Sequence, residues 1–565
     1  MRWTLKPKPQ PEKVTHLQEA LGVSKTIASL LVQRGIETFD QAKLFFRPRL
    51  DQLHDPFLMK DMKAAVSRIL KAIEKGERIM VYGDYDVDGT TSVALMSTYL
   101  ETLSTNITAY IPDRYSEGYG ISYQGIDYAY DNEITLIVAL DCGIKAIEKV
   151  AYANEKGIDF IICDHHRPGD QIPNAVAVLD PKRNDCAYPY KELCGCGVGF
   201  KLIHALNDSI ERPFEELIPY LDLVATAIGA DIVPMNGENR VLAFYGMQVI
   251  NGEPRAGFKA LIAQVKKQEL SITDVVFTIA PRINAAGRMK HGLHAVELLV
   301  EKDLEKAKEF AIAIEAYNYS RREADKEITE EALLQIKNNE EYERKTTVVY
   351  EPHWHKGVIG IVASRLTETY YRPTLVFTKS GEKLAASARS VVGFDVYNAL
   401  EASSEYIEQF GGHMYAAGLT LTEENYPKFK QKFEEVVNEQ IDIKLLTPIL
   451  EIDTELNFSE IDEKFYRILK QFAPFGPQNL APIFLTKKVK DSGYAKTVGA
   501  DDKHLKCFMK QQHTQNQFGG IGFNVGDKLN LLKETENVSI AYCLEENEWN
   551  GKCSLQLRIK DIKPN

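Results

Sequence analysis

Residues Arg78–Gly89, RIMVYGDYDVDG, decide how this chain reads. The apolar run Ile79-Met80-Val81 has the character of a buried strand, and it runs into three carboxylates, Asp84, Asp86 and Asp88. Carboxylates that close repel one another and are costly to take out of water. A hard divalent cation with oxygen ligands, Mg²⁺ or Mn²⁺, resolves the conflict. Two other readings start from the same letters. Asp-x-Asp-x-Asp-Gly opens an EF-hand calcium loop, but that loop needs a bidentate Glu at its twelfth position, where this chain has Leu95. It also needs a preceding helix, and the approach here is strand-like. A solvated acidic turn is the blander alternative.

Working outward, Met62–Lys75 has helical periodicity, and strand and helix patterns then alternate. Arg78–Gly83 and Asn106–Ile111 read as strands, with a helix over Thr90–Leu103. Leu136–Leu140 and Asp159–Ile162 are short apolar runs, separated by the helical stretch Lys145–Lys156. This alternation predicts a parallel sheet with helices on both faces and functional groups beyond the carboxyl ends of its strands. Asp84 follows the first run, Asp141 follows TLIVAL, Asp164, His165 and His166 follow FIIC, and Asp231 follows LVATAIGA. One Asp after a strand is often only a helix cap. Four such positions at one edge, with adjacent histidines, predict a metal centre. The blander reading of the histidine pair is a helix start packed on the sheet. Carboxylates with histidine suit Mn²⁺ better than Zn²⁺ alone. Two such ions about 4 Å apart activate water and neutralise a phosphoryl group, with Asp141 as the candidate bridge.

A chain of 565 residues is too long for one core and predicts about three or four domains. The net charge of −12 argues mildly against nucleic acid, but an enzyme can concentrate acid at its site and base along a groove. The 8 cysteines include no CxxC pair, and Cys194 and Cys196 in CGCGVG suit neither a zinc knuckle nor a haem site, so reduced thiols are expected. The first residues, MRWTLKPKPQPEK, hold no apolar signal, and no run reaches the roughly 20 residues of a membrane span. A cytoplasmic protein without membrane contact is the expectation.

Leu17–Phe39 reads as two short helices with Leu21, Ile27, Leu30 and Leu31 on the apolar face. They form a packing arm or, alternatively, a grip on nucleic-acid backbone. Glu301–Lys345 has no Gly or Pro and reads as a long charged connecting helix with room for one break. Thr346–Tyr350 opens a second α/β unit reaching about Asn438. The tail from Pro448, with strands at Val538–Leu544 and Cys553–Ile559, reads as a small β-barrel. His355, Lys356, Ser387, Arg389 and His413 lie near Gly357, Gly360, Gly411, Gly412 and Gly418, glycines that admit phosphate close to the backbone or serve tight turns. Arg114, Arg282 and Arg288 are candidate phosphate clamps or surface ion pairs. Tyr115 and Tyr119 stack on bases or pack.

GDYDVDGTTS, ALDCGI, CDHH and IGADIVP resemble the ordered motifs of the DHH phosphoesterase superfamily. APRINAAGR, HWHKGVIGIVASRL, SARS and FGGHMYAAG resemble the linker and DHH-associated domain of its RecJ branch, and QFAPFGPQNLAPIF resembles the approach to that branch's OB-fold. The resemblance implies an α/β protein. A parallel-sheet DHH domain (61–265) is joined by a connecting helical segment with the long helix (266–343) to a second α/β DHH-associated domain (344–445), with a helical arm (1–60) and a C-terminal OB-type β-barrel (446–565). It implies a two-metal exonuclease, using Mn²⁺ or Mg²⁺, that degrades single-stranded DNA 5′→3′ to mononucleotides in DNA repair and recombination. Candidate partners are single-stranded DNA, a RecQ-type helicase and a single-stranded-DNA-binding protein. Carried over residue by residue, Asp84, Asp86 and Asp88 form the first motif, Asp141 the second, Asp164, His165 and His166 the third, and Asp231 the fourth. Asp86, Asp88, Asp141, His165 and Asp231 are expected on metal, while Asp84 and His166 orient a ligand, water or the phosphate. Tyr82 stands where the superfamily often has a His, which implies a less tightly bound first ion. Two competing functions remain: a DHH phosphoesterase on short oligonucleotides or cyclic dinucleotides, and a non-catalytic Cdc45-like scaffold. The arm and extra C-terminal domain argue against the first, and the intact motifs against the second.

Overall fold

The structure is a computed structural model that describes residues 1–265, 267–549 and 552–565. Its first sheet has five parallel strands: Arg78–Gly83, Ile107–Tyr110, Ile134–Leu140, Asp159–Cys163 and Ala177–Leu179. Numbered along the chain, their order across the sheet is 2-1-3-4-5. The chain therefore leaves the first strand toward one edge and returns on the other side of it. The crevice at that reversal, between the ends of Arg78–Gly83 and Ile134–Leu140, is where such sheets place ligands. Both faces are covered as the continuous apolar runs require. Val81, Val138 and Ile161 pack under the helices Met62–Glu74, Val87–Leu100 and Gly195–Ser209, and Met80, Ile137 and Ile162 under Tyr123–Asp131 and Ile147–Glu155.

Three features of the fold go beyond the sequence reading. The first concerns LVATAIGA, which forms the helix Leu221–Ala230 rather than a strand, because it is buried all round and too long for a core strand. Second, the segment after residue 265 is not a free connector. Ile272, Ile283, Leu298 and the first half of the long helix, through Ile314, share the core of the first sheet. Ile328, Ala332 and Ile336 further along pack against the second unit. That helix, Leu304–Asn338, runs unbroken for 35 residues, with Asp303 capping its start by accepting from the Lys306 N–H. Third, the second unit pairs only Thr347–Tyr350 with Thr374–Ser380 in parallel, and Lys383–Arg389, Ala416–Leu421 and Gln409–His413 complete the sheet antiparallel.

The C-terminal strands form a seven-stranded sheet whose second and sixth strands, Phe484–Asp491 and His504–Gln511, also pair, rolling it into a barrel. Val14, Leu17, Ile27, Leu30 and Leu31 of the N-terminal helices share one core with Phe465, Leu469, Phe472 and the barrel interior. Strand Arg2–Leu5 pairs in parallel with Ile449–Ile452. The helix pair is thus a packing arm. Among the described residues no helix is long and apolar enough to cross a membrane.

Candidate metal centre and phosphate cluster

The sheet delivers its carboxylates to one point. Asp84 ends the first strand, and Gly89 then passes so close to the Asp84 carbonyl oxygen that no side chain fits there. Asp86 caps the helix Val87–Leu100, its carboxylate accepting from the Gly89 N–H at 3.0 Å. Asp88 lies in the first turn of that helix, and its two oxygens accept from the Gly195 and Cys196 N–H groups, both at 2.7 Å. Those amides begin the helix Gly195–Ser209, whose N-terminus favours an anion. Asp141, after the third strand, takes the left-handed backbone at φ 59°, a conformation uncommon outside glycine. Asp231 caps the C-terminus of Leu221–Ala230 and reaches the same crevice.

His165 sits at the middle. Its Nε2 lies 3.1 Å from Asp141 Oδ1, 3.5 Å from Asp231 Oδ2 and 3.7 Å from Asp88 Oδ2. Two ligand groups emerge, Asp88–His165–Asp231 and Asp141–His165–His166, each with its donor atoms within 4.8 Å of one another. Both oxygens of Asp84 and Oδ1 of Asp141 are buried without a hydrogen-bond partner. Unpaired buried carboxylate oxygens are costly, and a bound cation satisfies them. Burial and the charge of Asp86 push Asp88 up to about 7, and burial and the charge of Asp88 push Asp231 up to about 8. Asp84 and Asp141 are pushed up by burial and by their acidic neighbours. Burial and the neighbouring His166 hold His165 down at about 3, so its ring is neutral and free to coordinate. The donor set therefore fits divalent cations of the Mn²⁺ or Mg²⁺ kind.

Asp164 does not face the cluster. Its Oδ1 accepts from His166 Nδ1 at 2.7 Å and from the His165 and His166 N–H groups, while Oδ2 accepts from the Ile144 N–H. Burial pushes Asp164 up, but these bonds and the His166 charge outweigh it and hold it at about 2. Burial pulls His166 down, yet Asp164, Asp231 and Asp88 raise it to about 9. The far nitrogen of His166, Nε2, lies 3.4 Å from the Tyr119 hydroxyl.

Next to Asp84 and Asp86 lies a basic cluster. Arg114 stacks 3.8 Å over Tyr85 and donates to the Gly287 carbonyl. Arg288 donates to the Gly357 carbonyl, and Arg389 to Ser387 Oγ at 3.0 Å. Among the described residues none of these three arginines has a carboxylate within salt-bridge range, since the 36 ion pairs include none of them. Burial and the charges of Arg114, Arg321 and Arg389 pull Arg288 down to about 10. Guanidiniums crowded without acid make a site for an anion. Arg282 takes the other course, pairing with Glu315 at 2.7 Å. Tyr115 bonds the Arg288 carbonyl and packs on His355, Lys356 bonds Ser380, and His413 is exposed at the tip of the Gln409–Leu421 hairpin. Gly357 and Gly360 sit against Arg288 and Arg389, whereas Gly412 and Gly418 serve the hairpin.

Two contributions escape the sequence reading. Gly195 lies where a Cβ would stand 2.6 Å from Asp141 Cβ, so CGCGVG is a helix start pressed onto the metal ligands. Arg321 reaches the basic cluster from the long helix. The glycine-rich run was a visible signal for the first, and nothing local marked the second.

A parallel sheet with carboxylates and histidine converging at its topological reversal, joined to a second five-stranded sheet whose Arg389 completes a basic cluster, defines a metal-dependent phosphoesterase of the DHH type. Family models match residues 78–228 (DHH family, N-terminal domain), 343–439 (DHHA1 domain) and 452–561 (RecJ OB domain). The chain is 36% identical over 565 residues to the single-stranded-DNA-specific exonuclease RecJ of Bacillus subtilis, covering 99% of this chain and 70% of that protein. It is 35% identical to the RecJ exonuclease of Escherichia coli, covering 90% and 91%. The crystal structure of Thermus thermophilus RecJ in complex with Mn²⁺ superposes with a TM-score of 0.85 at 26% identity, covering 100% of this chain and 80% of that one. The Mg²⁺ complex of the same protein gives 0.79 at 25%. The chain belongs to the RecJ family.

Proposed function

We infer that this chain is a single-stranded-DNA-specific exonuclease that hydrolyses phosphodiesters with Mn²⁺ or Mg²⁺, in the repair and recombination of DNA. One observation carries the reading: buried carboxylates with unpaired oxygens converge on a neutral histidine, beside arginines that lack acidic partners. Asp86, Asp88, Asp141, His165 and Asp231 would hold the cations, with Asp84 at their side. Bound there, the ions supply an activated water and neutralise charge on the attacked phosphate.

The remaining work falls to side chains. Asp88 is oriented by the two amides of the Gly195–Ser209 helix, and His166, held through Nδ1 by Asp164, uses its far nitrogen to orient a ligand, water or the phosphate. Arg114, Arg288, Ser387 and Arg389 seat a terminal phosphate beside Asp84 and Asp86. An end-binding pocket next to the cleavage point supports removal of mononucleotides, with 5′→3′ polarity when that phosphate is the 5′ one. A RecQ-type helicase that opens duplex ahead of the enzyme, and a protein that coats the strand, are fitting partners.

The test measures hydrolysis and stability together. Asp141→Ala abolishes release of mononucleotides from a 5′-labelled single strand while the fold is retained. Mn²⁺ raises the melting temperature of the wild-type protein, because it relieves the carboxylate repulsion, and raises that of Asp141→Ala far less. Hydrolysis undiminished in the variant defeats the assignment.

A further inference from the structure

Two large apolar side chains near the C-terminal end of the helix Leu221–Ala230 stand open to solvent. Ile232, directly after Asp231, sits at φ 59°, and its side chain is 69% exposed. A β-branched residue in the left-handed region is a true outlier. Phe277 lies in a π-helical turn, Val275–Ile279, and is 74% exposed. Such turns are rare and gather at functional sites. The elements that carry them abut: the last turn of Leu221–Ala230 packs on the π-turn, with Gly229 so close that a Cβ would stand 3.0 Å from Val276 and 3.1 Å from Ile272. Strain at Ile232, and two large apolar side chains presented to solvent on adjoining elements, point to something outside the chain.

We propose that Ile232 and Phe277 form an apolar platform on which bases of the single strand stack as it enters the metal centre. The proposal rests on the exonuclease reading, and the occupant follows from position. Ile232 is covalently next to the metal-facing Asp231, so the platform is continuous with the site. The π-turn runs directly into the helix Ala280–Met289, whose Gly287 lies 2.6 Å, by its would-be Cβ, from the Tyr85 carbonyl and whose next residue is Arg288. From Phe277 to Arg288 this continuous helix extends roughly 16 Å, a few nucleotides. One end meets phosphate through arginine, and the other offers a surface for bases. Base faces are open only in an unpaired strand, so a stacking platform here also selects against duplex.

The test uses the full chain with Mn²⁺ and 5′-phosphorylated oligonucleotides, either intact or abasic over the nucleotides following the scissile bond. Phe277→Ala raises KM for the intact strand about ten-fold, and Phe277→Trp restores it. The wild-type protein loses a similar factor on the abasic strand, whereas Phe277→Ala treats the two strands alike. Ile232→Gly removes the side chain while relieving the left-handed backbone. It therefore raises KM without lowering the melting temperature. Variants that match wild type on the intact strand, or a wild-type protein indifferent to the missing bases, overturn the platform alone. A wild-type protein inert on single strands overturns the exonuclease reading and the platform with it.

Discussion

Asp164 and His166 show how far one hydrogen bond moves a charge. His166 is held at about 9, above its ordinary 6.5, so its stabilising contribution is complete below pH 6.5 and is lost as pH rises through 9. Asp164 is held at about 2, below its ordinary 3.8, so its contribution is present above 3.8 and is lost as pH falls through 2. Asp164→Asn removes the partner that keeps His166 protonated. The alkaline limb of the pH profile of kcat/KM then moves to lower pH, and the rate at neutral pH falls about a hundred-fold. A profile unmoved by the change would show that His166 does not act as a cation. At Gly195, a methyl group in place of hydrogen presses on Asp141. Gly195→Ala therefore weakens Mn²⁺ binding, measured by titration calorimetry, by about ten-fold or more, and the rate falls with it. The acidic triplet and CDHH were legible because their side chains do the chemistry and stand together in sequence. Gly195 showed only as part of a glycine-rich run, without its role, because that role is played by a backbone N–H and by the absence of a side chain.

Among the elements, the helix Leu304–Asn338 ties the two sheets. Its Asp325, buried, accepts from Arg365 at 2.7 Å, and its Glu331 accepts from His353 and from the Trp354 indole N–H. The arginine is half exposed, so the pair itself is weak, but removing it strands a buried carboxylate. Arg365→Ala lowers stability by about 1–3 kcal/mol, read in the thermal unfolding of the second unit. An unchanged transition would mean that water replaces the guanidinium fully. The parallel sheet and the long helix were readable from periodicity, since a strand buried on both faces and a charged stretch without Gly or Pro leave few alternatives. Leu221–Ala230 was not, because a helix buried on every side has no polar face to set its period. Antiparallel pairing in the second sheet was also hidden, since register depends on partners far along the chain.

The whole molecule is closed on itself. The N-terminal strand pairs beside the barrel, the Trp3 indole donates to Asp561 at 2.8 Å, and the first helices complete the barrel's core. Cutting the chain at Pro448 to remove the barrel therefore strips the cover from Val14, Leu17, Ile27 and Leu30. The truncated protein elutes as aggregate in size-exclusion chromatography, whereas removal of residues 1–48 together with the barrel restores a soluble particle that keeps the metal centre. A soluble, monodisperse product from the single cut would contradict the shared core. The resemblance had marked arm and barrel as separate blocks, and only the fold shows them to be one body. That closure also sets a timetable. The arm is synthesised before the barrel strands that cover it, so its apolar face waits, unmatched, while the metal-bearing sheet between them condenses. A chain halted before those strands is left with a sticky arm, and it is this arm, rather than the finished catalytic half, that would mark the fragment for chaperones and proteases.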